Sequence, residues 1–226
     1  MADTVQLAQQ LCESGAFQDM APPLKMALFM GSLALVSAAL VCLTSFTRIV
    51  IVLSFVRRAM TTQEIPPTPV VIGLGLFLTM FVMGPTWDEM SDRAIAPYLA
   101  GEVDGEQAMR AGSAALQKFM LRQTRKQDLA LFIHMSGVER PQQPSDTPMR
   151  ALVPAFIISE LKTAFLMGFC IYVPFLLVDL VVSTVLMSMG MMMMPPVVIS
   201  TPFKILLFVL ADGWHLVARA LSVSFG

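Results

Sequence analysis

Charge is scarce in this chain. Asp, Glu, Lys and Arg make up 14% of its 226 residues, against about 25% in soluble domains. No charged residue occurs between Met26 and Thr47 or between Ile65 and Trp87, and the stretches Thr163 to Val178 and Leu180 to Phe203 are charge-free as well. A membrane span needs about 20 apolar residues, and the first two stretches reach that length, which excludes an ordinary soluble domain. Cysteine is also rare. Cys12, Cys42 and Cys170 are far apart and odd in number, which excludes a disulfide framework or a metal spacing. Cys42 and Cys170 read as small hydrophobes in helices. A net charge of −1 leaves no basic surface for nucleic acid and no case for an acidic partner. The two histidines, His134 and His215, have no Cys, Ser or carboxylate at the spacing of a nucleophile or metal motif. No enzyme activity and no cofactor are therefore expected. The first residues, Met1-Ala2-Asp3, lack a basic n-region, and no apolar core follows until Met26. The expectation is that there is no secretory signal and that the first helix acts as its own insertion signal.

What is present is long apolar sequence punctuated by proline. The pattern predicts an all-α integral membrane protein with about four long hydrophobic helices arranged as hairpins. A polar segment covers 1–23 and closes on Pro22-Pro23. A first hydrophobic hairpin occupies 24–85. Its helices run from about Leu24 towards Val56 and from about Val70 to Met83, where Gly84-Pro85 ends the second. Gly73-Leu74-Gly75 inside that helix is a close-packing feature and not a phosphate loop. The region 86–150 differs, with nine acidic and eight basic residues. It reads as a water-facing helical insert, helical from Glu106 to Ile133 with an apolar stripe. A second hairpin fills 151–226, with helices over about Leu152 to Ser188 and Val197 to Val223. Pro174 is expected to kink the first of these. Arg57 and Arg58 flank the short first connector, so the positive-inside rule places that connector in the cytoplasm and the 86–150 region outside.

Between the last two helices lies Met187-Ser188-Met189-Gly190-Met191-Met192-Met193-Met194-Pro195-Pro196. Methionine is unbranched and polarizable, so it yields to a changing partner. Six in eight positions, stopped by two prolines, suit a soft seal better than a fixed core. Plain apolar filler between membrane segments is the other reading.

The second hairpin also carries six charges, Glu160, Lys162, Asp179, Lys204, Asp212 and Arg219. At about 2.5–3.5 kcal/mol each on insertion scales, six lipid-facing charges would cost roughly 15–20 kcal/mol, more than a fold has to spare. They must be paired or lie near water. Glu160 and Lys162 are about 200° apart on a helix and cannot pair with each other. Three acids balance three bases, which suits pairing between helices or subunits. Structural ion pairs, a proton or ion relay, and charges that set assembly register all remain open.

Several segments carry a resemblance. Thr44-Ser45-Phe46-Thr47-Arg48-Ile49-Val50-Ile51-Val52-Leu53-Ser54 and Gly73-Leu74-Gly75-Leu76-Phe77-Leu78-Thr79 are two. More specific are Val153-Pro154-Ala155-Phe156-Ile157-Ile158-Ser159-Glu160-Leu161-Lys162-Thr163-Ala164-Phe165 and Leu186-Met187-Ser188-Met189-Gly190-Met191-Met192-Met193. The last runs from Pro202-Phe203-Lys204 to Ala211-Asp212-Gly213-Trp214. Over roughly 24–226 the chain resembles the FliP family of the flagellar export gate, whose counterpart in virulence injectisomes is the SctR type.

The resemblance implies a non-enzymatic, pore-forming subunit in the bacterial inner membrane, at the flagellar basal body. It implies a helical pore built as a pentamer with FliQ-like and FliR-like subunits, working with FlhA-like and FlhB-like export proteins on unfolded substrates. It further implies a methionine gasket at Met189, Met191, Met192, Met193 and Met194. Charges between helices or subunits would be Arg48, Glu160, Lys162, Lys204 and Asp212. The alternatives are an injectisome gate subunit, an ion-coupled transporter using Glu160, Asp179 and Lys204, and a structural scaffold. The absence of an inverted repeat argues against the transporter. The connector from Met60 to Thr68, and Met194-Pro195-Pro196, depart from the usual pattern of the family.

Overall fold

The computed structural model describes residues 21–61, 65–137, 143, 146–191 and 194–226, and every regular element among them is helical. The elements are α1 (Pro22–Leu43), α2 (Phe46–Ala59), α3 (Thr68–Met90), a π turn (Ser91–Ile95), α4 (Ala96–Leu99), α5 (Gly105–Gln123), α6 (Lys126–Met135), α7 (Met149–Ser188), α8 (Pro196–Leu210) and α9 (Gly213–Val223). Among the described residues, three segments are long and apolar enough to cross a membrane: Pro22–Leu43, Thr68–Leu99 and Met149–Ser188. A fourth exists if the bent pair α8–α9 counts as one span.

Four expectations about helix boundaries are corrected, each for a local reason. The first long helix is two, because Thr44 is extended at φ −112°, ψ 179°. Hydroxyls satisfy the broken ends: the Phe46 amide donates to Thr44 Oγ1 at 3.3 Å and Thr47 Oγ1 donates to the Val41 carbonyl at 2.8 Å. The charge-free run from Met26 to Thr47 crosses this break and hides it. The second helix does not stop at Gly84-Pro85 but continues through Pro85 to Met90 and into the π turn. Proline removes one donor, and packing offsets that loss, since Met83 is fully buried and Ala94 nearly so. The helix expected over Glu106 to Ile133 is two, split at the extended residues Thr124 and Arg125. Thr124 Oγ1 closes α5 by donating to the Met120 carbonyl at 2.7 Å, and the Asp104 carboxylate caps its start by accepting from the Gly105 amide at 2.7 Å. The last helix is also two, bent by 62°.

That last corner follows from two residues. Asp212 adopts the left-handed conformation at φ 49°, ψ 51°, which Asp tolerates better than most residues. Gly213 follows because a Cβ there would lie 2.3 Å from the Phe208 ring. Phe208 and Trp214 meet edge to face across the bend at 5.2 Å. Gly213→Ala is therefore expected to destabilise the protein by about 1–3 kcal/mol through overpacking, read as a lower melting temperature in detergent. An unchanged melting temperature would mean that the Phe208 ring is free to move aside.

Helix α7 has 40 residues and is uninterrupted at Pro154 and Pro174. At 1.5 Å per residue it is about 60 Å long, twice the thickness of a bilayer core of about 30 Å. Its two halves differ. Residues from Ala151 to Ala164 contribute Leu152, Ala155, Phe156, Ser159 and Glu160 to the interior, whereas Leu177, Leu180, Val181 and Val185 are exposed. The most extensive packing in the chain is α2 against α7, followed by α6 against α7 and α2 against α3. Helix α2 sits centrally because Arg48, Ile49, Val52, Leu53, Val56 and Ala59 recur at helical spacing on its buried face. Of the two glycines in the α3 motif, only Gly75 makes a close approach: a Cβ there would lie 2.8 Å from Val50, while Gly73 faces open space. Most described side chains of helix α1 are exposed, with Lys25, Cys42 and Leu43 half-buried.

Candidate functional site

The methionine loop is built by a helix stop and a helix start. Gly190, at φ +76°, ends α7. The Gly190 amide donates to the Met187 carbonyl and the Met191 amide to the Leu186 carbonyl, both at 3.1 Å. This paired pattern around a left-handed glycine is a Schellman closure. Pro195 and Pro196 then open α8, where proline loses nothing because the first amides of a helix lack partners anyway. Met189, Met191 and Met194 are 67%, 40% and 43% exposed, so the chain's own core does not absorb them. Met192 and Met193 lie outside the described residues. Behind the tip, α7 and α8 enclose an apolar groove of about 590 Å³, with Val181, Val185, Ile199 and Phe203 among its walls.

The charges divide into one fully buried pair, one pair in which only the lysine is buried, and three exposed residues. Arg48 and Glu160, 2% and 1% exposed at their side chains, form an ion pair. Arg48 Nε donates to Glu160 Oε2 at 2.8 Å and Nη2 donates to Oε1, giving the two-pronged geometry that makes such pairs strong. Further along α7, Asp179 Oδ2 accepts from Lys204 Nζ at 2.5 Å, and its Oδ1 accepts from Ser200 Oγ at 2.5 Å. Ser200 and Lys204 are one helical turn apart on α8, so both reach the single carboxylate on α7. Lys162 and Asp212 are exposed, as is Arg219, and none of the three forms an ion pair with the described residues.

The Ser159–Thr163 stretch is a junction for three elements. Ser159 Oγ donates to Asp128 Oδ2 at 2.8 Å and accepts from the Arg125 amide at 3.0 Å. Thr163 Oγ1 accepts from Arg125 Nη2 at 3.1 Å. One face of α7 thus holds the start of α6 through Ser159 and Thr163 and the start of α2 through Glu160. Lys162 points away, as its 200° offset from Glu160 requires.

Sequence reasoning missed Gln123, Ser200, Ser224 and Phe225, which complete the two charged clusters, and left Asp179 out of the paired set. Only Ser200 had a local signal, its four-residue spacing from Lys204. No group of three His, Cys, Asp or Glu side chains that could hold a metal exists among the described residues. The arrangement holds helices in register and presents a soft apolar hairpin.

Residues 29–221 match the FliP family. The chain is similar to "Flagellar biosynthetic protein FliP" of Bacillus subtilis (strain 168), with 48% identity over 208 residues, covering 92% of this chain and 94% of that protein. It is similar to the protein of the same name from Pectobacterium carotovorum subsp. carotovorum, with 51% identity over 194 residues, covering 86% and 75%. The corresponding protein of Caulobacter vibrioides is 49% identical over 193 residues, covering 85% and 73%.

Proposed function

The chain belongs to the FliP family, and from that premise we propose that it is a membrane-embedded component of the flagellar protein export apparatus. In the finer reading it is a pore-forming gate subunit in the bacterial inner membrane at the basal body. It assembles as a pentamer with FliQ-like and FliR-like subunits, served by FlhA-like and FlhB-like proteins, and passes unfolded substrates. Residues 24–85 and 151–226 supply the hydrophobic hairpins and 86–150 the extracytoplasmic helical part. The flagellar system is preferred to an injectisome because the relatives named above are flagellar.

The observation that carries the gate reading is the exposed, proline-stopped methionine tip on an apolar hairpin. Methionines from several copies would converge on one constriction, soft enough to part around a polypeptide and apolar enough to exclude ions when empty. Met189, Met191, Met192, Met193 and Met194 form this gasket. Lys162 and Asp212 are the exposed charges placed to bridge neighbouring copies, while Arg48, Glu160 and Lys204 are engaged within the chain. An ion-coupled transporter would need its ionisable groups to face a pathway, and Glu160 and Lys204 are buried in pairs instead.

Replacing Met191–Met194 with alanine is expected to raise the ion conductance of the assembled complex in liposomes several-fold while leaving the particle mass unchanged. Wild-type conductance in the alanine variant would rule out the gasket. Mass measurement of the detergent-extracted particle tests the rest: about five copies fit the gate, whereas a monomer or dimer overturns it.

A further inference from the structure

The Arg48 guanidinium has five N–H donors, and all five are used. Two go to Glu160. A third, from Nη2, reaches Gln123 Oε1 at 3.2 Å. The last two, from Nη1, go to the Ser224 carbonyl at 2.9 Å and to Ser224 Oγ at 3.1 Å. The face of the same group lies over the Phe225 ring, 3.9 Å from its centroid. Gln123 is itself held from that end, its Nε2 donating to the Phe225 carbonyl at 3.1 Å. Phe225 is 4% exposed and stacks on Phe119 of α5 at 6.4 Å.

We infer that Ser224 and Phe225 form a clasp that closes over the Arg48–Glu160 pair and thereby locks α9, α5, α2 and α7 into one unit. Three of the five donors of Arg48 depend on this segment directly or through Gln123, so the pair can be buried without orphan donors only when the clasp is shut. A buried unpaired donor is costly, and a desolvated cation against an aromatic face is favourable. The Ser224 carbonyl also stands at the end of α9, where unpaired acceptors and the helix dipole both favour a cation. Residues 48, 123, 160 and 225 are therefore interdependent although they lie far apart in the sequence. Val217, Leu221 and Phe225 lie at four-residue spacing and are all buried, which seats the clasp on its neighbours.

The test is amide hydrogen exchange on the protein in detergent, comparing the native chain with one terminated after Val223 and with Phe225→Leu, which keeps most of the apolar volume but removes the ring face. The expected result is a loss of protection of about tenfold or more at Phe119–Gln123 and at the first turn of α2, with even Gln123 102 residues from Phe225. Phe225→Leu shows the same pattern more weakly, and it alone carries the test if the truncated chain does not accumulate. Exchange changes confined to α9 would overturn the clasp. A second readout is a melting cycle. Phe225→Leu is expected to lower the melting temperature by about 4 °C in the native background and by distinctly less where Arg48→Met and Glu160→Gln have neutralised the pair, because only the packing on Phe119 is then lost. Equal drops in both backgrounds would reduce Phe225 to ordinary packing.

Discussion

Glu160→Ala is expected to destabilise the protein by about 3–5 kcal/mol, a substantial part of the stability of a typical domain. The reason is asymmetry. Arg48 cannot give up its charge, and it cannot reach water, because its side chain is 2% exposed and enclosed by α2, α5, α7 and the segment after α9. Removing the carboxylate leaves Nε and one Nη2 hydrogen unpaired beside a buried cation. Glu160→Gln is milder, since an amide oxygen still accepts one of the two hydrogen bonds although the charge is gone. Thermal melting of the detergent-purified variants measures this, and the expected order is native, then Gln, then Ala. The loss should also be nearly independent of ionic strength, because counterions do not screen a pair sealed from solvent. A salt-dependent loss, or alanine as stable as glutamine, would place the pair in contact with solvent and sink the argument.

The second large effect concerns Asp179 and Lys204, where the two partners are not equivalent. The Lys204 side chain is 1% exposed, whereas that of Asp179 is 28% exposed and keeps a second donor in Ser200 Oγ. Asp179→Ala strands a buried ammonium group and is expected to lose about 3–5 kcal/mol. Lys204→Met removes the buried charge and retains most of the stem volume. The carboxylate it leaves behind still has Ser200 and an open side, so the loss is expected to stay below about 1.5 kcal/mol. The measurement is again the melting temperature of each purified variant, together with the double variant, which should resemble Lys204→Met alone. Equal losses from the two single changes would show that exposure does not govern this pair.

Much of this was legible in the residues. Scarce charge and long apolar runs announced membrane helices because burial of a helical backbone in lipid demands uninterrupted apolar side chains. The balance of three acids and three bases in the second hairpin announced that charges must be paired. The methionine run, bounded by Gly190 and Pro195-Pro196, announced a loop between two helices, and each bounding residue now has a backbone role. What could not be read were the breaks at Thr44-Ser45, Thr124-Arg125 and Ala211-Asp212. Hydropathy is continuous across the first of these, and the corner at Asp212 depends on a ring four residues earlier that requires a glycine at 213. Which charges pair was also hidden. Arg48 and Glu160 are 112 positions apart, and no periodicity within one helix reports on a contact between two.

By itself, then, the sequence determined the helical class, the apolar hairpins, the charge problem and the soft loop, because these follow from composition and from spacing within a single element. The tertiary structure alone decided which charges were buried together, that Lys162 and Asp212 stay exposed, and that Ser224 and Phe225 finish the Arg48 site. Those outcomes depend on which helix faces meet, and burial is what turns a solvated charge into one that must find every partner within the chain.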